Sequence, residues 1–187
     1  MRDLSKSKLL SYRQCPKRLW LEVKGPRLPE PDAPTQALFD GGHQVGELAQ
    51  RLYDPKHKGV VFEPKRQGYE EVIADTARLV ANHQPLFEAG FAANGARAYV
   101  DVLLPLRKKG QQVWRLVEVK SAGSVAETHK DDVAIQAYLA RSTGLTLHSV
   151  AIAHIDTKWV YQGDGDYQGF LKEVDQTEEA RVHQLMT

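Results

Sequence analysis

The chain has 187 residues, 42% hydrophobic and 26% charged, with a formal net charge of +1 at pH 7; this is the profile of an ordinary soluble protein long enough for one domain with one core. Its single cysteine, Cys15, excludes an internal disulfide and cannot by itself hold an iron–sulfur cluster. The longest apolar runs are short, and the opening MRDLSKSKLL has neither the apolar stretch of a signal peptide nor an Arg-rich transit pattern, so the expectation is a cytoplasmic protein without a membrane partner.

Charge is unevenly placed: residues 1 to 27 hold eight Lys and Arg against two acids, which predicts a basic N-terminal face. In LSKSKLLSYRQCPKRLWLEVKG, residues Leu9, Leu10, Tyr12, Leu19, Trp20 and Val23 recur at helical spacing, with Ser5 or Ser7 as cap and Gly25 as stop. Pro16 divides this stretch into two short helices. GPRLPEPDAP, with four prolines in ten residues, predicts a loop. The segment 1–34 is thus read as a basic helical opening and loop within a single domain spanning 1–187.

From Thr35 to Tyr53 a stripe of Leu38, Val45, Leu48, Ala49 and Leu52 predicts a helix, interrupted or opened at Gly41-Gly42. GVVFEP reads as a short strand. YEEVIADTARLVANH reads as a helix burying Val72, Ile73, Ala77 and Val80. The period then changes: PLFEAGFAA, ARAYVDVLLPL and QVWRLVEVKSA are β-branched and aromatic runs joined by Gly-containing turns, which predicts three antiparallel strands. AETHKDDVAIQAYLARSTG is a helix closed by Gly144, followed by a strand LHSVAIAHI and a shorter one in KWVYQG. Residues 164 to 179 hold six acids and one Lys, and 164–187 reads as an acidic helical tail. The order αβββαβ with flanking helices predicts an α/β domain with a mixed sheet.

The turn RKKGQQ closes best at Lys109-Gly110, where Gly accepts the positive φ of a two-residue hairpin turn. Pairing outward from it sets Asp101 directly across from Glu118. Opposed residues have Cβ atoms roughly 4.5–5.5 Å apart, and like charges so placed are destabilising. Apolar flanks (Val100, Val102, Leu103, Val117, Val119) aggravate the repulsion. A divalent cation offsets it, since Mg²⁺ takes carboxylate oxygens and keeps waters that a phosphate can replace. Lys120 lies on the face of Glu118, where it can orient a water or stabilise charge on a phosphate, as in metal-assisted phosphodiester hydrolysis. The plain alternative is a solvated sheet edge with one cross-strand ion pair.

With Asp in YVDVLL and Glu-Val-Lys in LVEVKSA, the sequence resembles the PD-(D/E)XK nuclease superfamily, specifically its RecB-like branch, which includes CRISPR-associated exonucleases. The match runs from about Leu4 to Tyr161 and includes His43 in FDGGHQVGELA, Gln136 in DDVAIQAYLARSTGL and the opening SYRQCPKRLWL. The resemblance implies a restriction-endonuclease-like core, with Asp101, Glu118, Lys120 and Gln136 in catalysis. It also implies Mg²⁺ or Mn²⁺ held by His43, Asp101, Glu118 and the Val119 carbonyl. Two departures stand out. Residue 140, where the branch commonly has Tyr, is Ala, and the tyrosine is Tyr138. Cys15 lacks the three later cysteines of iron–sulfur members, so no cluster is implied.

Glu47, one turn beyond His43, shares its face and can take a second metal or orient the first. Gln136, among Val133, Ile135, Ala137 and Leu139, either lies on the outer stripe of its helix or turns inward to hold Lys120 or a phosphate. Lys17 and Arg18, with Tyr12 and Trp20 interleaved, are candidate contacts to the DNA backbone, as is Tyr138, for which packing is the competing role; Lys108 and Lys109 extend the basic track. Such contacts carry no base identity. The leading expectation is a metal-dependent DNase without marked sequence preference, exonuclease-like in repair or defence, with a helicase or other domain as an open partner. The rivals are a catalytically silent nuclease-fold module that binds nucleic acid or a partner protein, and a purely structural α/β domain.

Overall fold

The computed structural model describes residues 3–25 and 33–182. It is an α/β fold in which helices flank a mixed seven-stranded sheet of order β2-β3-β4-β5-β6-β7, with β1 paired to β4 off this path. The strands are β1 (Leu4–Ser5), β2 (Val60–Val61), β3 (Leu86–Ala93), β4 (Ala96–Lys108), β5 (Gln111–Lys120), β6 (Leu147–Ile155) and β7 (Leu171–Asp175). The helices are α1 (Lys6–Gln14), α2 (Pro16–Lys24), α3 (Ala33–Tyr53), α4 (Pro64–Gln67), α5 (Tyr69–Leu79), α6 (Glu127–Ser142) and α7 (Glu179–Val182). From α5 to β6 the order is αβββαβ, as the change of period predicts.

The N-terminal helices break at Pro16, which occupies the first position of α2, where its missing N–H costs nothing. Ser5 caps α1 by accepting from the Lys8 N–H at 3.4 Å. The two helices are tied by Ser11 Oγ donating to Glu22 at 2.9 Å. Of the expected loop, residues 26–32 lie outside the described residues; Ala33 and Pro34 already belong to α3, which runs unbroken through Gly41-Gly42. In α5 the buried stripe is Val72 and Thr76 rather than the expected Ala77, which is exposed. Thr76 suits the interior because its hydroxyl accepts the Gly90 N–H at 3.0 Å.

Both hairpin turns use positive φ at two successive residues, Asn94-Gly95 (φ 53 and 76) and Lys109-Gly110 (φ 50 and 77), the pattern that matches strand twist. β3 is antiparallel to β4 and β4 to β5, whereas β6 lies parallel to β5 across the α6 crossover. The larger apolar core lies between the sheet and α5 and α6, and includes Val72, Leu86, Leu103, Leu116, Val133, Leu139 and Ile152. A smaller one of Phe87, Val102, Val117, Ala151 and Ala153 has Tyr53 of α3 packed against it. Each fully buried Leu, Ile or Phe is worth about 1.5–3 kcal/mol relative to exposure.

Two expectations for the C-terminal part are corrected. KWVYQG forms no strand: Trp159 and Tyr161 instead pack with Tyr167 and Phe170 in one aromatic cluster. The tail from 164 is not a continuous acidic helix, because Leu171–Asp175 pairs antiparallel with the open edge of β6, from Ile155↔Leu171 to Ala151↔Asp175. Pairing there satisfies backbone groups that a helix would leave exposed on β6. Among the described residues of that stretch only Glu179–Val182 is helical, and residues 183–187 lie outside them.

Candidate functional site

The register of β4 and β5 runs from Lys108↔Gln111 to Val102↔Val117, the alignment expected from the Lys109-Gly110 turn. Beyond Val102↔Val117 the two strands part. β5 continues along β6 with Glu118↔Ile152, Val119↔Ala153 and Lys120↔His154. β4 meets another partner on that edge only at Ala96 and Arg97, where Leu4 and Ser5 of β1 pair in parallel. The sheet therefore forks, with Asp101 on one tine and Glu118, Val119 and Lys120 on the other. Asp101 spans the gap: its Oδ2 accepts the Val119 N–H at 2.7 Å.

A second irregularity faces Asp101 on β3. Phe87 pairs with Val102 and Ala89 with Val100, which leaves Glu88 opposite Asp101. Phe87 and Val102 belong to the smaller core while Ala89 and Val100 belong to the larger, so both strands change face at this step. Glu88 carries the change at φ 56, a left-handed conformation that costs a non-glycine residue about 1–3 kcal/mol and gathers at functional sites.

Glu118, 2% exposed, is held by three donors from three elements. Lys120 Nζ lies 2.5 Å and Lys6 Nζ 3.3 Å from its Oε1. The Gln136 amide of α6 donates to its Oε2 and, at 3.3 Å, to Asp132 Oδ1. Asp132, also buried, accepts from Lys6 at 2.8 Å and from Lys120. Two ammonium groups thus face two buried carboxylates, the pairing that makes such burial tolerable. Burial alone would lower both lysines, yet Glu118 and then Asp132 overcome it and hold Lys6 and Lys120 above the usual range. Gln136 Oε1 is buried without a hydrogen-bond partner.

Beside this network opens a cleft of about 640 Å³, lined by His43 and Glu47 of α3, Lys65 and Arg66 of α4, Glu88, Asp101, Glu118 and Val119. Burial pushes the Asp101 carboxyl up against the pull of the Lys6 ammonium, and the Glu88 charge pushes it further. Glu88 is raised likewise, by burial and then by the charge of Glu118. Carboxyls that neither ion pairs nor solvent fully relieve are suited to a divalent cation, and carboxylate, carbonyl and imidazole donors are the types Mg²⁺ and Mn²⁺ accept. By donor type, Asp101, Glu118, Glu88, the Val119 carbonyl and His43 are the groups of the cleft that could hold such an ion. Among the described residues, no three His, Cys, Asp or Glu side chains stand close enough together to hold a metal as they are.

The structure thus brings Asp101, Glu118, Val119 and His43 to one cleft, with Lys120 and Gln136 bonded to Glu118 from behind it. Gln136 turns inward, to Glu118 rather than to Lys120. Glu47 is exposed, 4.0 Å from Arg51. Lys17 and Arg18 lie exposed on α2, where Arg18 bonds Glu22 at 2.8 Å. Tyr138 lies outside the cleft and its hydroxyl accepts from the Asn94 amide at 2.6 Å. Trp20 is 60% exposed. Nothing in the sequence alone singles out Asp132 or Glu88, and Lys6 reads there as one of the cations of the basic opening. The one local signal for Lys6 is its place in the first turn of a helix that has no acid there, where the helix dipole disfavours an ammonium.

No helix among the described residues is long and apolar enough to cross a membrane. No family model matches the chain, and no curated protein matches it. Among solved structures it is similar to the crystal structure of SSO0001, at 12% identity and a TM-score of 0.28, over 96% of this chain and 85% of that one. A likeness at that score carries no argument about fold or chemistry.

Proposed function

We propose that the protein is a divalent-metal-dependent nuclease with a restriction-endonuclease-like core, hydrolysing DNA phosphodiester bonds without marked sequence preference and exonuclease-like in action. The observation that carries this reading is the sheet fork, which sets the Asp101 carboxylate on the backbone of Glu118-Val119-Lys120 beside an open cleft. A Mg²⁺ or Mn²⁺ ion, when bound, supplies Lewis acidity and a nucleophilic water at neutral pH. Asp101, Glu118, Glu88, Val119 through its carbonyl, and His43 would hold it.

Lys120 has three N–H donors, of which Glu118 and Asp132 take two. Lys120 is not on the cleft lining, so its ammonium would turn toward the cleft for the third to meet a phosphate oxygen, where a positive charge stabilises the negative charge of the transition state. Gln136 keeps Glu118 in one orientation from the buried side. Lys65 and Arg66, on the cleft wall, supply cationic partners for backbone phosphates. None of these groups reads a base edge, in keeping with low sequence preference.

A second reading is a nuclease-fold module that binds nucleic acid without cutting it. The full engagement of Glu118 by Lys6, Lys120 and Gln136 favours it. A time course on linear single-stranded, linear duplex and closed circular DNA with Mg²⁺, Mn²⁺ or chelator, run beside Asp101→Asn and Lys120→Ala, separates the two. Metal-dependent cleavage lost in both variants supports the nuclease; binding without cleavage supports the module; cleavage that survives chelator removes the metal-nuclease reading.

A further inference from the structure

Lys6 has no part in the chemistry proposed above, yet it occupies the centre of the fork. It follows directly on β1, whose Leu4 donates to the Gly95 carbonyl at 2.8 Å and pairs with Ala96. β1 thereby brings the start of α1 to the gap between β4 and β5. From there the Lys6 ammonium reaches 3.3 Å from Glu118 Oε1 and 2.8 Å from Asp132 Oδ1. It does so from the first turn of a helix, the end at which positive charge is least favoured, with no acid in that turn to relieve it.

The charges in the fork show what this placement does. Asp101, Glu88, Glu118 and Asp132 are acidic, and Lys6 and Lys120 are the cations bonded to the inner two. Lys120 extends from the same strand as Glu118 and keeps a second bond to Asp132. Lys6 arrives on a separate segment and makes the longer of the two lysine contacts to Glu118. Both lysines also bond Asp132, and Lys6, with the longer contact to Glu118, is the one more readily displaced from it.

We propose that Lys6 is a built-in counter-ion that competes with an incoming divalent cation for the Glu118 carboxylate. The proposal rests on the metal-dependent reading and extends it by naming what the cation must displace. In the cation-free protein the Lys6 ammonium neutralises Glu118. When a divalent cation enters beside Asp101, Lys6 withdraws to Asp132, which leaves Lys120 as the one ammonium on Glu118 Oε1 and returns negative charge to that carboxylate. The β1-α1 segment thereby sets the cation concentration at which the site fills.

Calorimetric titration with Mn²⁺ of the wild type, Lys6→Met, Lys6→Gln and Lys6→Arg tests this, with Lys24→Met as an exposed control and circular dichroism to verify folding. Lys6→Met and Lys6→Gln are expected to bind Mn²⁺ about tenfold more tightly, because a cation of like sign has gone from the site. Their melting temperature in chelator should fall, and the rise on adding Mn²⁺ should exceed that of the wild type. Lys6→Arg, which keeps the charge and pairs carboxylates in a fork, should bind Mn²⁺ no more tightly than the wild type, and tighter binding by it would overturn the proposal. If the wild type binds Mn²⁺ and the folded neutral variants bind equally or more weakly, Lys6 is a structural lysine only, and the metal reading stands. If neither wild type nor variants bind Mn²⁺ at millimolar concentration, both readings fall.

Discussion

The Val119 N–H donates to Asp101 Oδ2 at 2.7 Å across a point where β4 and β5 have already separated. The bond fixes the acid of one strand against the backbone between Glu118 and Lys120 of the other. An amide oxygen can accept the same N–H. Asp101→Asn should therefore keep the fold while removing a cation-holding carboxylate. The expected outcome is a loss of metal-dependent DNA cleavage by more than about 100-fold, with a melting temperature in chelator equal to or above that of the wild type. Retained cleavage in this variant would remove Asp101 from the site.

Gln136 is fully buried and donates to Glu118. Gln136→Leu, of similar volume, leaves a buried carboxylate oxygen short of a donor. It should cost about 1–3 kcal/mol of stability by denaturant titration. Gln136→Glu should cost more, since it adds a third acid beside Glu118 and Asp132. Equal stability of the wild type and Gln136→Leu would show that the amide does not support Glu118.

The raised carboxyls of Asp101 and Glu88 give a pH dependence of defined sign. Between the ordinary carboxylate value of about 4 and their raised native values, the folded protein binds more protons than the unfolded chain. Their contribution to stability is therefore full below that window and is lost as pH rises through it. In chelator, melting temperature measured from pH 4 upward should decline more in the wild type than in Asp101→Asn. Mn²⁺, which favours the ionised carboxylates, should shrink the difference. Parallel curves for the two proteins in chelator would contradict the raised native value of Asp101.

Thr76 tests the fold independently of the site. Its hydroxyl is the acceptor for the Gly90 N–H, and the residue is fully buried. Thr76→Val keeps the shape and orphans that N–H, at an expected cost of about 1–3 kcal/mol. Thr76→Ser should recover most of it. A cleavage assay on folded Thr76→Val should read as wild type, because α5 contributes nothing to the cleft lining.

What the sequence discloses here depends on how local the cause is. The Lys109-Gly110 turn fixes a register that can be counted outward as far as Val102↔Val117; the expected pairing of Asp101 with Glu118 is not made, because the strands part there and Asp101 takes the Val119 N–H instead. The inward turn of Gln136 is not decided by its neighbours, because an amide among apolar residues fits either stripe of a helix. Asp132 stands next to Asp131, an acid paired with Arg13 at the surface, and nothing local tells the two apart. Lys6 reads as one more cation in a basic run; only the pairing of β1 with β4 brings it to the fork. The change of face at Glu88 departs from strand alternation, so periodicity conceals it. LKEVD reads as acidic helix because the free edge of β6 that makes it a strand is formed elsewhere in the chain.

The ion pair between Lys6 and Glu118 joins positions 112 residues apart. Contacts of such separation form late, since the intervening chain must first be ordered. An emerging polypeptide holds no complete arrangement of these groups until β5 and α6 have both been synthesised and packed. Whatever this constellation does, it is withheld from every nascent chain that ends before α6.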